Sequence, residues 1–190
     1  MLNLYRFSYP FWYRGEIMRK ATLIVMFLVY SMTVGCQTMQ PIHTVESVDL
    51  KRFMGDWYVI ASIPTFIEKD AYNALETYRL DPDGTIATTF RFNKGSLDGP
   101  LKVYKPRGFV RHSSNAVWGM QFVWPIKADY RIVYLDDDYT QTIIGRQNRD
   151  FVWIMARTPT ISDDDYDKLV AVIASLGYDM SKLERVPQRW

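Results

Sequence analysis

From Gly55 onward, apolar and polar side chains alternate in short runs with a period of two. Ile86, Thr88, Phe90 and Phe92 share one face of such a run, while Thr89, Arg91 and Asn93 share the other. Trp118, Met120, Phe122 and Trp124 repeat the pattern, with Gln121 on the opposite face. This period predicts strands buried on one face only. Eight runs follow at hairpin spacing: 56–63, 71–80, 85–93, 101–111, 116–123, 128–135, 140–146 and 151–157. Pro64 closes the first. Asp81-Pro82-Asp83-Gly84 is a strong turn, because proline fixes one dihedral and glycine accepts a positive φ. Gly95 to Pro100 turns the next pair.

Two runs are apolar on both faces. Trp57, Val59 and Ala61 oppose Tyr58 and Ile60; Phe151, Trp153 and Met155 oppose Val152 and Ile154. Something must cover their outer sides, and the chain offers one helix. Ser162 is an N-cap, Asp163, Asp164 and Asp165 set negative charge at the positive helix end, and Gly177 ends the element. Between them Tyr166, Leu169, Val170, Ile173 and Leu176 recur at helical spacing. Metal ligation by the three aspartates is the sharper reading of that cluster, but capping explains them. Residues 182–187 add an edge strand. The predicted fold is all-β: an eight-stranded antiparallel up-and-down barrel with one C-terminal α-helix packed outside. Closure removes sheet edges and leaves room for one small ligand. A flat sandwich is the architectural alternative.

The first 35 residues read differently. Met18-Arg19-Lys20 precedes the apolar run Ala21 to Val34, too short to span a membrane but suited to a secretory signal. Met18 is the natural start, and 1–17 are set aside. Thr33-Val34-Gly35-Cys36 resembles the lipobox of bacterial lipoproteins, which are cut before a cysteine that then carries acyl chains. Cys36 is the only cysteine in the chain, so no internal disulfide competes for it. Gln37 is not the aspartate that retains such proteins in the inner membrane, so the resemblance implies an outer-membrane lipoprotein facing the periplasm. The expected organisation is a signal peptide over 1–35, a lipidated tether over 36–51 and the barrel over 52–190. The leader carries Arg6, Arg14, Arg19 and Lys20 against Glu16; removing its net +3 from the chain's +2 leaves the remainder near −1. Such a domain has no electrostatic footprint for nucleic acid.

Three motifs within the barrel segment resemble those of the lipocalin family, specifically its bacterial membrane-anchored group. Gly55-Asp56-Trp57-Tyr58 resembles the family's Gly-x-Trp. Asp138-Tyr139 resembles Thr-Asp-Tyr, with Asp137 where the family has threonine. Trp153 to Pro159 resembles the last motif, including its arginine, Arg157. The resemblance implies that Arg157 stacks on Trp57 and that both close the bottom of the barrel, worth about 1–2 kcal/mol once desolvated. It also implies binding, storage or transport of a hydrophobic ligand such as a fatty acid or lysophospholipid at the cell envelope, without enzymatic activity.

Parity and the family positions together nominate Tyr78, Phe90, Trp118, Met120, Phe122, Tyr130, Ile132 and Trp153 as lining of the ligand cavity. The alternative for each is that it plugs the barrel. Phe66, in the loop after the first strand, is a candidate flexible rim. Parity supplies no buried cation for a head group. No cofactor or metal is expected. A lipid hydrolase would need a nucleophile beside a base, and His112 with Ser113 and Ser114 is the nearest approach. Haem would have His112 as its axial ligand. A structural envelope lipoprotein with a plugged barrel is a further class. Self-association into a homodimer stays open.

Overall fold

The computed structural model describes residues 40–190, so the leader and Cys36 lie outside the described residues. Residues 41–190 form one compact unit. The strands are β1 (Gly55–Ile63), β2 (Ala71–Leu80), β3 (Ile86–Lys94), β4 (Leu101–Tyr104), β5 (Arg107–Val110), β6 (Val117–Val123), β7 (Ile126–Leu135), β8 (Gln141–Gly145), β9 (Val152–Ala156) and β10 (Glu184–Arg185). Neighbours pair antiparallel in sequence order, and β1 pairs with β9 to close the barrel. The expected run over 101–111 divides into β4 and β5, both paired to β3. Pro106 separates them because it has no N–H for the ladder; its carbonyl still accepts from Thr88 N–H at 3.1 Å. Counted as one stave, they give eight.

β10 adds to the edge of β1 opposite Ala61 and Ser62, in the region expected for an edge strand. Helix α1 (Leu50–Phe53) precedes the barrel, and α2 (Asp163–Ser175) follows it. Ser162 caps α2 by accepting from Asp165 N–H at 3.1 Å, and Asp165 in turn accepts from the Ser162 hydroxyl. Asp163 meets Arg185 at 3.2 Å. The aspartates thus serve the helix end and its neighbours, as capping predicts.

Two apolar clusters follow. One fills the barrel interior, with Phe53, Trp57, Val59, Tyr78, Ile86, Phe90, Trp118, Ile132 and Met155 among its members. The other lies between the wall and α2, where Ile60, Ala61, Ile63, Ile143, Val152 and Ile154 meet Leu169 and Ile173. The helix therefore covers the second apolar face of β1 and β9. Ala61 belongs to this outer cluster, contrary to simple alternation. A β-bulge between Val59 and Ala61 changes the register against β9, and one inserted residue exchanges the two faces.

The tether expected over 36–51 is packed from Pro41 onward. Ile42 and Val48 are buried. Ile42 N–H donates to Gln147 Oε1 at 3.1 Å, and Val48 N–H donates to the Ser114 carbonyl at 2.8 Å. Ordering of this stretch follows from its apolar residues finding seats on the domain. Asp49 then caps α1, accepting from Lys51 N–H at 2.9 Å.

Candidate ligand-binding site

The barrel has a filled half and an open half. At the closed end, α1 inserts Phe53 among Trp57, Tyr78 and Trp118, with ring centroids 5.0, 5.7 and 5.5 Å away. Trp118 stacks on Tyr130 at 5.0 Å. The Arg157 guanidinium lies 3.9 Å from the Trp57 ring centroid. It donates to the carbonyls of Arg52, Phe53, Asp56 and Tyr139 at 2.8, 3.1, 2.8 and 3.2 Å. Two of these are C-terminal carbonyls of α1, which have no partner within the helix and attract a cation. Gly55, at φ +97°, lets the chain pass: a Cβ there would lie 3.3 Å from the guanidinium.

The Asp137 side chain stands where the motif has threonine, and the neighbouring Asp136 organises the loop. Its carboxylate accepts from Thr140 and Gln141 N–H at 2.7 and 2.9 Å. The Asp137 carbonyl accepts from Arg52.

Above this plug lies a cavity of about 290 Å³, open at the other end. That volume is near the small end of ligand pockets, roughly 300–1,000 Å³. Its apolar walls come from Ile67, Met120, Phe122, Tyr130, Phe151 and Trp153, with Phe66 at the mouth. Of the eight nominated residues, Met120, Phe122, Tyr130 and Trp153 line it. Tyr78, Phe90, Trp118 and Ile132 do not; they fill the interior below and beside it. Phe66 is 88% exposed.

Polar groups border this cavity in several places, Asp129 among them, paired with Arg131 at 2.9 Å. At mid-height, Glu76 accepts a hydrogen bond from the Tyr78 hydroxyl, whose oxygen lies 2.8 Å from that of Tyr130. Burial pushes the Glu76 carboxyl up to about 7, against the Tyr78 hydrogen bond, and the charge of Glu68 adds to the rise. Burial raises both tyrosines well above their usual range, so they stay protonated. Glu68, under the β1–β2 loop, accepts from Thr65 N–H at 3.0 Å, the Thr65 hydroxyl at 3.1 Å and Trp153 Nε1 at 3.2 Å. Burial raises its carboxyl too, and these bonds oppose the rise.

Arg146 borders the cavity near the mouth. Its Nη1 is 3.3 Å from Asp150, while its buried Nε has no hydrogen-bond partner. An unpaired buried donor costs about 1–3 kcal/mol. The expectation that no cation faces the cavity is therefore corrected. Arg146 shares parity with Ile144, an interior residue, and Glu76 shares parity with Tyr78. Alternation would have found both.

His112 lies in the β5–β6 loop at the closed end, away from the cavity. Its Nδ1 is 2.9 Å from the hydroxyl of Ser114 and accepts from Ser114 N–H at 3.2 Å. The pair ties a turn together, and the haem and hydrolase readings lose their cavity.

A closed eight-stave barrel with a flanking helix, an arginine–tryptophan plug and an open apolar cavity defines a small-ligand-binding barrel. The Lipocalin-like domain family matches residues 48–188, and the chain belongs to that family. It is 33% identical to temperature-induced lipocalin-1 of Arabidopsis thaliana, over 77% of this chain and 82% of that protein. It is 31% identical to outer membrane lipoprotein Blc of Citrobacter freundii, over 88% of this chain and 94% of that protein. Among solved structures, insecticyanin of the tobacco hornworm Manduca sexta superposes with a TM-score of 0.61 at 15% identity, covering 77% of this chain and 84% of that one. At that identity the likeness speaks for fold alone.

Proposed function

We propose that this chain is a cell-envelope lipocalin, held in the outer membrane by acyl chains on Cys36, that binds and carries a single-chain lipid with an anionic head group. The observation that carries the reading is the open, apolar upper cavity above a plugged base. Each methylene moved from water into such walls contributes about 0.8 kcal/mol. Arg146 at the mouth supplies a cation with a free Nε for a carboxylate or phosphate, while Glu76 and the two tyrosines give the deep end a polar limit. Fatty acids and lysophospholipids fit this pattern, and no bond in the ligand changes. The similarity to an outer membrane lipoprotein, taken with the lipobox-like Thr33 to Cys36, supports the location.

The test is a titration of intrinsic tryptophan fluorescence with fatty acids and lysophospholipids below their micelle concentrations, with stoichiometry read by native mass spectrometry. Trp153 in the cavity wall should report saturable binding near one ligand per barrel. Ala128→Trp fills the cavity from its lining and should abolish binding, whereas Ala61→Trp cannot, since Ala61 faces α2. Arg146→Gln should weaken fatty acids and leave fatty alcohols unchanged. Absence of saturable binding by any lipid would favour a structural lipoprotein instead.

A further inference from the structure

The open end is rimmed by large apolar side chains that the fold leaves in water. Phe66, Phe122, Val123, Trp124 and Ile126 are between 45% and 88% exposed. They come from two places, the β1–β2 loop and the β6–β7 tip. Phe66 and Phe122 also line the cavity, which fixes the patch at its mouth. A contiguous apolar patch of this kind marks an interaction surface, and tryptophan at a tip suits the membrane–water interface.

A second observation says what covers it. The described chain begins at the same end: Ile42 N–H is held by Gln147, in the β8–β9 turn beside the cavity-lining Arg146. Cys36 lies six residues earlier, and six residues extend at most about 20 Å. A ten-residue stave such as β2, tilted as barrel strands are, rises about 25 Å. With Ile42 held beside the mouth, six residues are too few for Cys36 to reach past the closed end.

We infer that the barrel docks mouth-down on the lipid bilayer, with the β6–β7 tip and Phe66 inserted at its surface, so that the cavity exchanges ligand directly with the membrane. The argument from chain length rests on acylation of Cys36, while the apolar rim stands apart from it.

The test uses the full-length protein, expressed with its own leader and reconstituted in phosphatidylethanolamine–phosphatidylglycerol vesicles that carry brominated lipid. Intact mass reads the acylation; quenching of tryptophan emission reads the docking. Trp124→Phe keeps the rim apolar and removes the reporter, so the greater part of the quenchable emission should vanish. Wild-type emission that brominated lipid does not quench, or quenching unchanged by Trp124→Phe, overturns the docking. An unmodified Cys36 overturns the anchor alone, and docking is then decided by quenching. In uptake of lysophospholipid from the same vesicles, Trp124→Glu with Ile126→Glu should slow transfer roughly tenfold. Val103→Glu, exposed on the outer wall opposite Arg91, should leave it unchanged. Equal rates for tip and wall variants would also overturn the inference.

Discussion

Glu76 is the group whose replacement most directly tests the electrostatics of the cavity. It lies among apolar walls, its only side-chain hydrogen bond comes from Tyr78, and Glu68 is close enough to repel its charge. The folded protein therefore holds the Glu76 proton more tightly than the unfolded chain does. A carboxyl raised from 4.5 to about 7 contributes its full stability below pH 4.5. That contribution is lost as pH rises through about 7. At 1.36 kcal/mol per unit, the ionised form costs the fold about 3 kcal/mol at pH 8.5, with cavity water lowering the figure toward 2.

Glu76→Gln keeps an acceptor for the Tyr78 hydroxyl and never ionises. Its unfolding free energy in urea should match wild type near pH 4.5 and exceed it by about 2–3 kcal/mol at pH 8.5, with an unchanged slope. In melting temperature that is roughly 5–10 °C. Groups other than Glu68 move both proteins alike, so the difference between them isolates Glu76 together with its repulsion by Glu68. A difference that stays constant from pH 4.5 to 8.5 would refute the reasoning, and a variant that loses stability at high pH would reverse it. Glu68→Gln should keep its three hydrogen bonds, because all of them reach one oxygen, Oε2, that the amide carbonyl can replace; since burial raises the Glu68 carboxyl, the variant should gain on wild type as pH rises.

Arg157→Lys replaces a planar fork on four carbonyls by a point charge and loses the stacking on Trp57; thermal denaturation should show about 2–3 kcal/mol lost, with ligand binding intact. Gly55→Ala should cost about 1–2 kcal/mol in the same assay, because alanine is strained at a positive φ and its Cβ crowds the guanidinium. Thr88→Val should stabilise by about 1 kcal/mol in urea, since the buried Thr88 hydroxyl has no partner to lose.

Strand existence and the outer helix were legible because they rest on local physics. A period of two marks Ile86 to Phe92 and Trp118 to Phe122, and caps at Ser162 and Gly177 bound α2. The cavity was half legible. Alternation tells which face a side chain occupies but not its height along the barrel, so Trp118 and Met120 read alike although one is plugged and the other lines the mouth. The plug depends on α1, four residues long and without a detectable period, which inserts Phe53 from outside the strand pattern. Ala61 was misplaced by a bulge that no residue type announces. Glu76 and Arg146 are charged, yet both sit on the interior parity.

The division of the interior separates what holds the barrel from what it binds. Phe53, Trp57, Trp118 and Arg157 satisfy one another at the closed end, where aromatic rings pack together and the free carbonyls of α1 have found a cation. Above them the polar groups are under-satisfied: Arg146 Nε lacks a partner, and Glu76 keeps a proton at a pH where an exposed carboxyl would not. Apolar replacements there would stabilise the empty barrel. A ligand with a hydrocarbon chain and an anionic head would supply the missing partners from outside, gaining at Arg146 what the empty site forfeits. Closed-end variants should therefore shift melting without changing a dissociation constant, whereas an apolar replacement of Arg146 should weaken affinity and leave the empty barrel no less stable. Glu76, at the boundary, should change both, raising stability and altering affinity in a single substitution.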